Sequence, residues 1–155
     1  MRKFRGLFHA VMFSLLAMGV WVAPAVAADD PANVIKYRQK IMSAVGAHMG
    51  SIGAVLKGEV SFSGHVADHA RALQATSMMA ADIFPPGSGV GETRAMTKIW
   101  DNWAKFEKAV KAFQVATGAL VEAAESGDMT AVGAAMGNLG NACGGCHKPF
   151  RKPKE

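Results

Sequence analysis

Apolar residues recur every three or four positions along most of this chain, which is the period of α-helices packed on one side. Four such runs occupy residues 30–58, 63–83, 99–124 and 128–150. No stretch shows the alternation of polar and β-branched residues that is typical of strands. Four amphipathic helices with short or moderate connections predict an all-α fold, an antiparallel four-helix bundle.

Residues that cap helices mark the ends of these runs. Asp30-Pro31 offers an N-cap carboxylate followed by proline at the first helical position, where its missing N–H costs nothing. Gly127-Asp128 combines a C-terminal glycine with the next N-cap. After the second run, residues 84–89 read Phe-Pro-Pro-Gly-Ser-Gly and predict a loop of about ten residues that covers a site.

The first 27 residues form a different kind of segment, which we interpret as a secretory signal peptide. A basic start is followed by the apolar residues 10–23 and by the small residues Ala25-Val26-Ala27. The apolar run is shorter than the roughly 20 residues that a membrane-spanning helix needs. We therefore predict cleavage near Ala27, export to the periplasm, and a mature four-helix domain over residues 28–155.

Charge then narrows the class of partner. Three of the 17 basic residues lie in the signal segment, which leaves 14 basic against 12 acidic residues in the mature chain. A nucleic-acid-binding domain is expected to be much more basic. Nucleic acid is therefore not an expected partner of the mature domain. A membrane is not expected either, because no second long apolar run follows residue 27.

The fourth predicted helix carries the motif with the clearest chemistry. Cys143-Gly-Gly-Cys146-His147 has the C-x-x-C-H spacing of a c-type haem attachment site. Two thiols three residues apart can form thioethers with the two vinyl groups of haem, and the adjacent imidazole can ligate the iron. Both cysteines lie on the apolar stripe of the helix, which indicates a ligand held against the bundle interior.

Two other interpretations fit the motif less well. A thiol–disulfide oxidoreductase places its C-x-x-C at the start of a helix that follows a strand, whereas this motif lies late in a helix. A structural zinc site needs four ligands, and Cys143, Cys146 and His147 supply three. The predicted cofactor is therefore one covalently attached haem c per chain.

Three further sequence features resemble the class II c-type cytochromes, the cytochrome c′ group. The haem motif stands near the C-terminus, as it does in that family. Tyr37-Arg38-Gln39 matches a run early in its first helix, and the Phe84-Pro85-Pro86-Gly87 loop is followed by an Ile-Trp pair at residues 99–100. The resemblance covers residues 31–152.

The resemblance implies a set of site residues. His147 would be the proximal iron ligand, with the haem bound covalently to Cys143 and Cys146. Arg38 and Gln39 would contact the haem propionate edge, and Glu92 would lie at the haem periphery. Propionates would also explain why a cation sits on an apolar helix face, because a buried guanidinium needs a partner. Arg151, one turn beyond His147, would lie beside the imidazole.

Met42 decides between two functions that the sequence leaves open. It follows Arg38 by four residues, and by resemblance this position faces the distal side of the iron. In low-spin members a methionine here is the sixth ligand, which suits an electron carrier. In five-coordinate, high-spin members a bulky non-ligand stands here, and nitric oxide or carbon monoxide binds. Neither function is enzymatic, and neither identifies a particular redox partner protein.

The remaining histidines and the glycines of the first helix give two further expectations. His65 and His69 are four residues apart and are interpreted as an exposed pair, while His48 is expected to be a partly buried structural residue. Glycines recur along the first helix at positions 46, 50 and 53. Such a small-residue face suggests a homodimer formed through the first helix, as the family often shows.

Overall fold

The computed structural model describes residues 29–153, and this part of the chain is helical with no β-strand. The elements are α1 (Pro31–Leu56), a 3₁₀ turn (Ser63–His65), α2 (Val66–Met78), α3 (Lys98–Asp101), α4 (Trp103–Ser126) and α5 (Met129–Phe150). The predicted all-α four-helix bundle is confirmed, with α3 as a short addition. The predicted signal peptide lies outside the described residues. Between residues 29 and 153, no helix is long and apolar enough to cross a membrane.

The predicted helix ends are formed by the expected caps. The Asp30 carboxylate accepts a hydrogen bond from the Ala32 amide at 2.8 Å, ahead of Pro31. Gly127 ends α4 in the left-handed region with φ of 75°. The next residue, Asp128, begins α5 by accepting hydrogen bonds from the amides of Thr130 and Ala131 at 2.8 and 3.3 Å.

The second helix is shorter than predicted. The sequence pattern extends it from Ser63 to Ile83, but the first three residues form a 3₁₀ turn and α2 ends at Met78. At this end the amides of Met79 and Ala80 bond to carbonyls three residues back, not four. The helix therefore tightens into turns that keep Ile83 buried, which is why apolar periodicity alone placed its end too late.

The third predicted helix is interrupted. Asn102 adopts φ of −133° and ψ of 52°, which separates the single turn of α3 from α4. The apolar stripe itself is confirmed, because Trp103 and Ala124 are half-buried and the other six members are buried: Ile99, Phe106, Val110, Phe113, Thr117 and Leu120. Hydrophobic spacing continues across the break, so the sequence pattern did not reveal it.

The long helices pack in chain order, α1 on α2, α2 on α4, and α4 on α5. The fourth interface of the bundle is different, since α1 and α5 make little contact with each other. The hydrophobic core lies among α2, α4 and α5, with Val45 and Ile52 contributed by α1. One side of the bundle is thus lined by the two helices that carry Met42 and the C-x-x-C-H motif.

Candidate haem site

The C-x-x-C-H motif occupies the last turns of α5. Cys143 and Cys146 are free thiols, half-buried, and packed against the hydrophobic core. His147 is also half-buried, and Phe150 is 3% exposed. The inward placement predicted for both cysteines is therefore present, and the buried Phe150 holds this end of α5 on the core.

Burial makes the two thiols poor nucleophiles. It raises the pKa of Cys143, and it raises the pKa of Cys146 to about 11, with the neighbouring Cys143 thiolate adding to the effect. Reactive cysteines of thiol–disulfide oxidoreductases have lowered pKa values instead. This environment argues against thiol–disulfide exchange and is compatible with cysteines that serve as attachment points.

The environment of His147 favours its neutral form. Burial lowers the pKa of this imidazole, and the positive charges of Arg151 and Arg94 lower it further. A neutral imidazole is the form that ligates iron. Arg151 therefore acts electrostatically on His147 as expected, and Arg94, which the sequence did not single out, acts with it.

Arg94 also stabilises the end of α5 through hydrogen bonds. Its Nε and Nη2 atoms donate to the Lys152 carbonyl oxygen at 2.9 and 2.7 Å. The Lys152 amide donates to the Arg94 carbonyl at 2.8 Å, and the Met96 amide donates to the Phe150 carbonyl at 3.0 Å. This short antiparallel bridge joins the segment before α3 to the residues just after His147.

Arg38 is 4% exposed, and it has partners of its own within the protein. Its Nη1 donates to the Ile83 carbonyl and the Ser88 hydroxyl at 3.2 and 2.9 Å, while its Nη2 donates to the Ser88 carbonyl and the Thr93 hydroxyl at 2.8 and 3.0 Å. Its guanidinium carbon lies 4.5 Å from the centroid of the Phe84 ring, a cation–π contact. The loop between α2 and α3 thus accounts for the buried charge, and a propionate is not needed to explain it.

The same loop is held at two further points. Gln39 Nε2 donates to the Glu92 carbonyl oxygen at 2.8 Å, so Arg38, Gln39 and Glu92 do come together. Trp100 Nε1 donates to the carbonyls of Phe84 and Pro85 at 3.0 and 3.1 Å. The loop is therefore built onto α1 on one side and α3 on the other.

A row of aromatic contacts places Arg38 at the same end of the bundle as the motif. Arg38 lies over Phe84, and the Phe84 and Phe106 rings meet edge-on with centroids 4.9 Å apart. Phe106 meets Phe150 in the same way at 5.5 Å. Phe150 follows His147 by three residues, so residues distant in sequence converge on one region.

In the described part of the chain, Met42 is one of three half-buried methionines, with Met79 and Met96, that lie outside the hydrophobic core. Met49 and Met136 are half-buried and pack against the hydrophobic core. Met42 is equally half-buried, yet within the described residues it is not one of those packed on that core. Filling a gap in the core, the usual role of methionine, is therefore not its role here.

The residues on this side of the bundle fit a flat, covalently held group. A Cβ added to Gly137 or Gly140 of α5 would meet no atom within 4 Å, so that helix face is free of close neighbours. From residue 29 to 153, no three His, Cys, Asp or Glu side chains converge as the ligands of a structural zinc site would. A motif with two thiols and one imidazole therefore matches haem attachment and not a zinc site.

Several residues of this region were not predicted. Ser88, Thr93 and Arg94 have no distinctive sequence context, because their roles depend on partners about 50 residues away. Only the length of the loop and its proline-glycine content indicated that it would cover a site.

The arrangement defines a c-type haem protein, and comparison with known proteins identifies its family. The family model for cytochrome c′ matches residues 33–151. A cytochrome c′ of Rhodospirillum rubrum is 36% identical over 142 residues, covering 90% of this chain and 97% of the relative. A cytochrome c-554 of Cereibacter sphaeroides is 33% identical, covering 92% and 94%.

Comparison with solved structures finds the same fold in cytochrome c′ proteins. The structure of a cytochrome c′ from Alcaligenes xylosoxidans, a ferrous variant with bound nitric oxide, superimposes with a TM-score of 0.76. It is 29% identical and covers 83% of this chain and all of its own. The chain belongs to the cytochrome c′ family, and its cofactor is the covalently attached haem c of that family.

Proposed function

We propose that this protein is a periplasmic carrier of single electrons, with haem c bound to Cys143 and Cys146 and its iron ligated by His147 and Met42. When bound, the haem supplies a one-electron iron couple, and methionine–histidine ligation favours a high reduction potential. The role requires no catalytic acid, base or nucleophile, and we infer that the protein is not an enzyme. Its periplasmic location rests on the predicted signal peptide.

The position of Met42 carries this proposal. Its side chain is half-buried on the helix that faces α5, outside the packed core, one turn from the buried Arg38. A thioether in such a place is available to ligate iron. His48, the alternative distal ligand on the same helix, instead bonds to His69 of α2.

The polar residues of α1 and the loop would form the haem periphery. Both terminal nitrogens of Arg38 already hold the loop, so contact with a propionate would use its Nε–H or share one of these donors. Gln39 fixes the backbone at Glu92, whose exposed carboxylate we place at the haem edge. These residues would orient the haem and limit access of water.

Gas binding is the second candidate function. It is favoured by the similar Alcaligenes xylosoxidans protein, which has been crystallised with nitric oxide. In this case Met42 would crowd the distal side without ligating the iron, and nitric oxide or carbon monoxide would bind there.

A visible absorption spectrum of the holoprotein separates the two functions. Low-spin bands with a methionine-to-iron charge-transfer feature, lost in Met42→Leu, would support electron transfer. High-spin bands in the unmodified protein that change on adding carbon monoxide would reject Met42 ligation and support gas binding. A protein purified without any haem band, despite coexpressed haem-attachment machinery, would reject both.

The surface near the motif suggests how a redox partner would dock. Lys148, Arg151 and Lys152 are exposed around the end of α5. Such a basic surface steers encounters with an acidic protein. Rates of electron exchange with an acidic partner should therefore fall as salt is raised.

We further propose a homodimer formed through α1. A Cβ added at Gly46, Gly50 or Gly53 would meet no atom within 4 Å of the same chain. Three interior glycines weaken a helix, and close packing against a second copy would offset that cost. A mass from light scattering equal to one mature chain would reject the dimer.

A further inference from the structure

Two histidines on neighbouring helices form a close pair. His48 of α1 and His69 of α2 approach with their Nδ1 atoms 2.9 Å apart. Their ring centroids are 5.2 Å apart, and the planes are tilted by 52°. Of the chain's five histidines, His147 belongs to the haem motif and His9 to the predicted signal peptide. The pair therefore has no part in the proposed function.

The surroundings keep the pair accessible and favour the neutral form of His69. Both side chains are half-buried, so solvent reaches them. Burial lowers the pKa of His69, and His48 and His65 lower it further, against a smaller opposing effect of Asp68. His69 thus remains neutral to lower pH than an ordinary histidine, and neutral imidazole is the form that binds metals.

Other charged groups nearby are already engaged. Asp68 is paired with Arg71 at 2.8 Å, and Arg71 also meets Glu125 of α4 at 3.1 Å. The His65 ring stacks on Phe62 at 5.2 Å, with only 10° between the planes. The two Nδ1 atoms facing each other are therefore the coordinating pair that the two helices present.

We propose that the Nδ1 atoms of His48 and His69 bind one Cu²⁺ ion, with water completing the coordination. Two nitrogens about 2.0–2.1 Å from a metal and at a right angle to each other lie about 2.9 Å apart. A tetrahedral angle would separate them by about 3.3 Å. The observed 2.9 Å is the length of the present hydrogen bond, and it equals the spacing of neighbouring positions of a square-planar centre, so the two nitrogens need not move apart to bind the ion.

Copper is favoured over zinc by the number of available ligands. Zinc sites in proteins use three or four protein ligands. In the part of the chain that is described, no third His, Cys, Asp or Glu converges on the pair. For a given set of nitrogen ligands Cu²⁺ binds most tightly of the divalent first-row metals, and tetragonal nitrogen–oxygen geometry suits it.

The proton balance of binding is simple. In the metal-free pair one Nδ1–H donates to the other Nδ1. On coordination that proton moves through solvent to Nε2 of the same ring, so two neutral imidazoles bind Cu²⁺ with no net proton release. No electron is transferred, and copper stays in the +2 state. At lower pH, where a proton must leave, affinity falls.

The test uses the oxidised holoprotein, so that haem iron cannot reduce copper. Copper sulfate is titrated in a calorimeter into the unmodified protein, His69→Gln and His48→Gln, with His65→Gln as the matched control. We expect one site per chain, retained in the control and weakened by roughly tenfold or more in the other two variants. Unchanged visible and circular dichroism spectra establish that each variant is folded.

Electron paramagnetic resonance of the copper-loaded protein supplies a second readout. Nitrogen hyperfine structure from two imidazoles, reduced in His69→Gln, is the expected signature. Copper should also raise the melting temperature of the unmodified protein and the control, but not of His69→Gln, because a ligand stabilises the state that binds it. Absence of binding, or equal binding by His69→Gln and the unmodified protein, overturns the proposal and leaves the pair as a structural hydrogen bond.

Discussion

Ser88 accepts two hydrogen bonds from Arg38, one at its hydroxyl at 2.9 Å and one at its carbonyl at 2.8 Å. The residues are 1% and 4% exposed, and they join α1 to the loop that precedes α3. The buried cation is thus satisfied by neutral oxygens and by the Phe84 ring rather than by a carboxylate. Burial lowers the pKa of Arg38, but an arginine remains charged under these conditions.

Replacing Arg38 should destabilise the protein strongly. Arg38→Gln leaves the oxygens of Ile83, Ser88 and Thr93 without their donor inside the protein. We expect the free energy of unfolding to fall by about 2–4 kcal/mol, as for other losses of buried polar networks. Denaturant unfolding of the holoprotein measures this.

Lys36→Gln is the matched control for this prediction. It removes a positive charge from an exposed position on the same helix. Its effect should stay within about 0.5 kcal/mol. Equal stabilities for the two variants would show that the loop network contributes nothing.

Removing the thioether of Met42 should lower the reduction potential if it ligates iron. In Met42→Leu we expect a fall on the order of 0.1 V, since axial ligands set haem potentials over roughly 0.8 V. The variant should also gain rapid carbon monoxide binding. Spectroelectrochemical titration and flash photolysis provide the two measurements.

Met49→Leu serves as the comparison, because Met49 is a half-buried methionine of the same helix that packs on the core. It should change neither potential nor carbon monoxide binding. A potential that is the same in all three proteins would reject Met42 as a ligand.

Stability should depend on pH through His69. Its pKa in the folded protein is lowered below 6.5, so the unfolded chain takes up a proton first as the pH falls. The free energy of unfolding therefore decreases as pH drops below about 6.5, and this contribution is constant above that value. Denaturation midpoints between pH 7.5 and about 5 should show a smaller decrease in His69→Gln than in the unmodified protein. An identical decrease in both would contradict the shift.

The glycines of α1 allow the proposed dimer to be tested without measuring a molecular mass. Because no atom of the same chain lies within 4 Å of a Cβ at Gly50, Gly50→Ala should stabilise a monomer by about 0.5–1 kcal/mol through helix propensity. If a second copy packs there, the same change should weaken association. Unfolding at several protein concentrations distinguishes the outcomes.

Gly89 is the loop glycine where an added side chain would collide with the Trp100 ring. A Cβ there would lie 2.5 Å from Cζ3 of Trp100, which is held by its own hydrogen bonds. Gly89→Ala should cost about 1–3 kcal/mol, the usual effect of overpacking. Gly118→Ala is the control, since its Cβ would meet Gln74 at an ordinary 3.6 Å. Comparable stability of both variants would mean that Trp100 moves aside freely.

Local signals in the sequence predicted the features that depend on neighbouring residues. Asp30, Gly127 and Asp128 act as caps within a few residues of themselves, and Cys143 and Cys146 follow the stripe of their own helix. The end of α2 and the break at Asn102 were missed, because apolar spacing continues through both. Gln39 bonds to the backbone of Glu92 in the structure, and the predicted contacts of Arg38, Gln39 and Glu92 with haem remain predictions.

Pairings between distant segments could not be deduced from a single sequence. The partners of Arg38 lie about 50 residues away, and His48 meets His69 across two helices. Spacing within a helix suggested the pair His65 and His69 instead. The rotation and axial shift of two packed helices decide which of their faces meet. Apolar periodicity within one helix contains no information about either.

The sparse contact between α1 and α5 also has a consequence for motion. Apart from the proposed Met42–iron bond, α1 is attached to the rest of the bundle mainly through α2 and through the Arg38 hydrogen bonds to the loop. These two attachments should open together, so α1 and the loop form one cooperative unit that is less stable than the α4–α5 pair. Hydrogen exchange of Met42→Leu, which lacks the proposed iron bond, should therefore show the amides around positions 42 and 88 exchanging at a common rate, faster than those around Leu120 and Leu139.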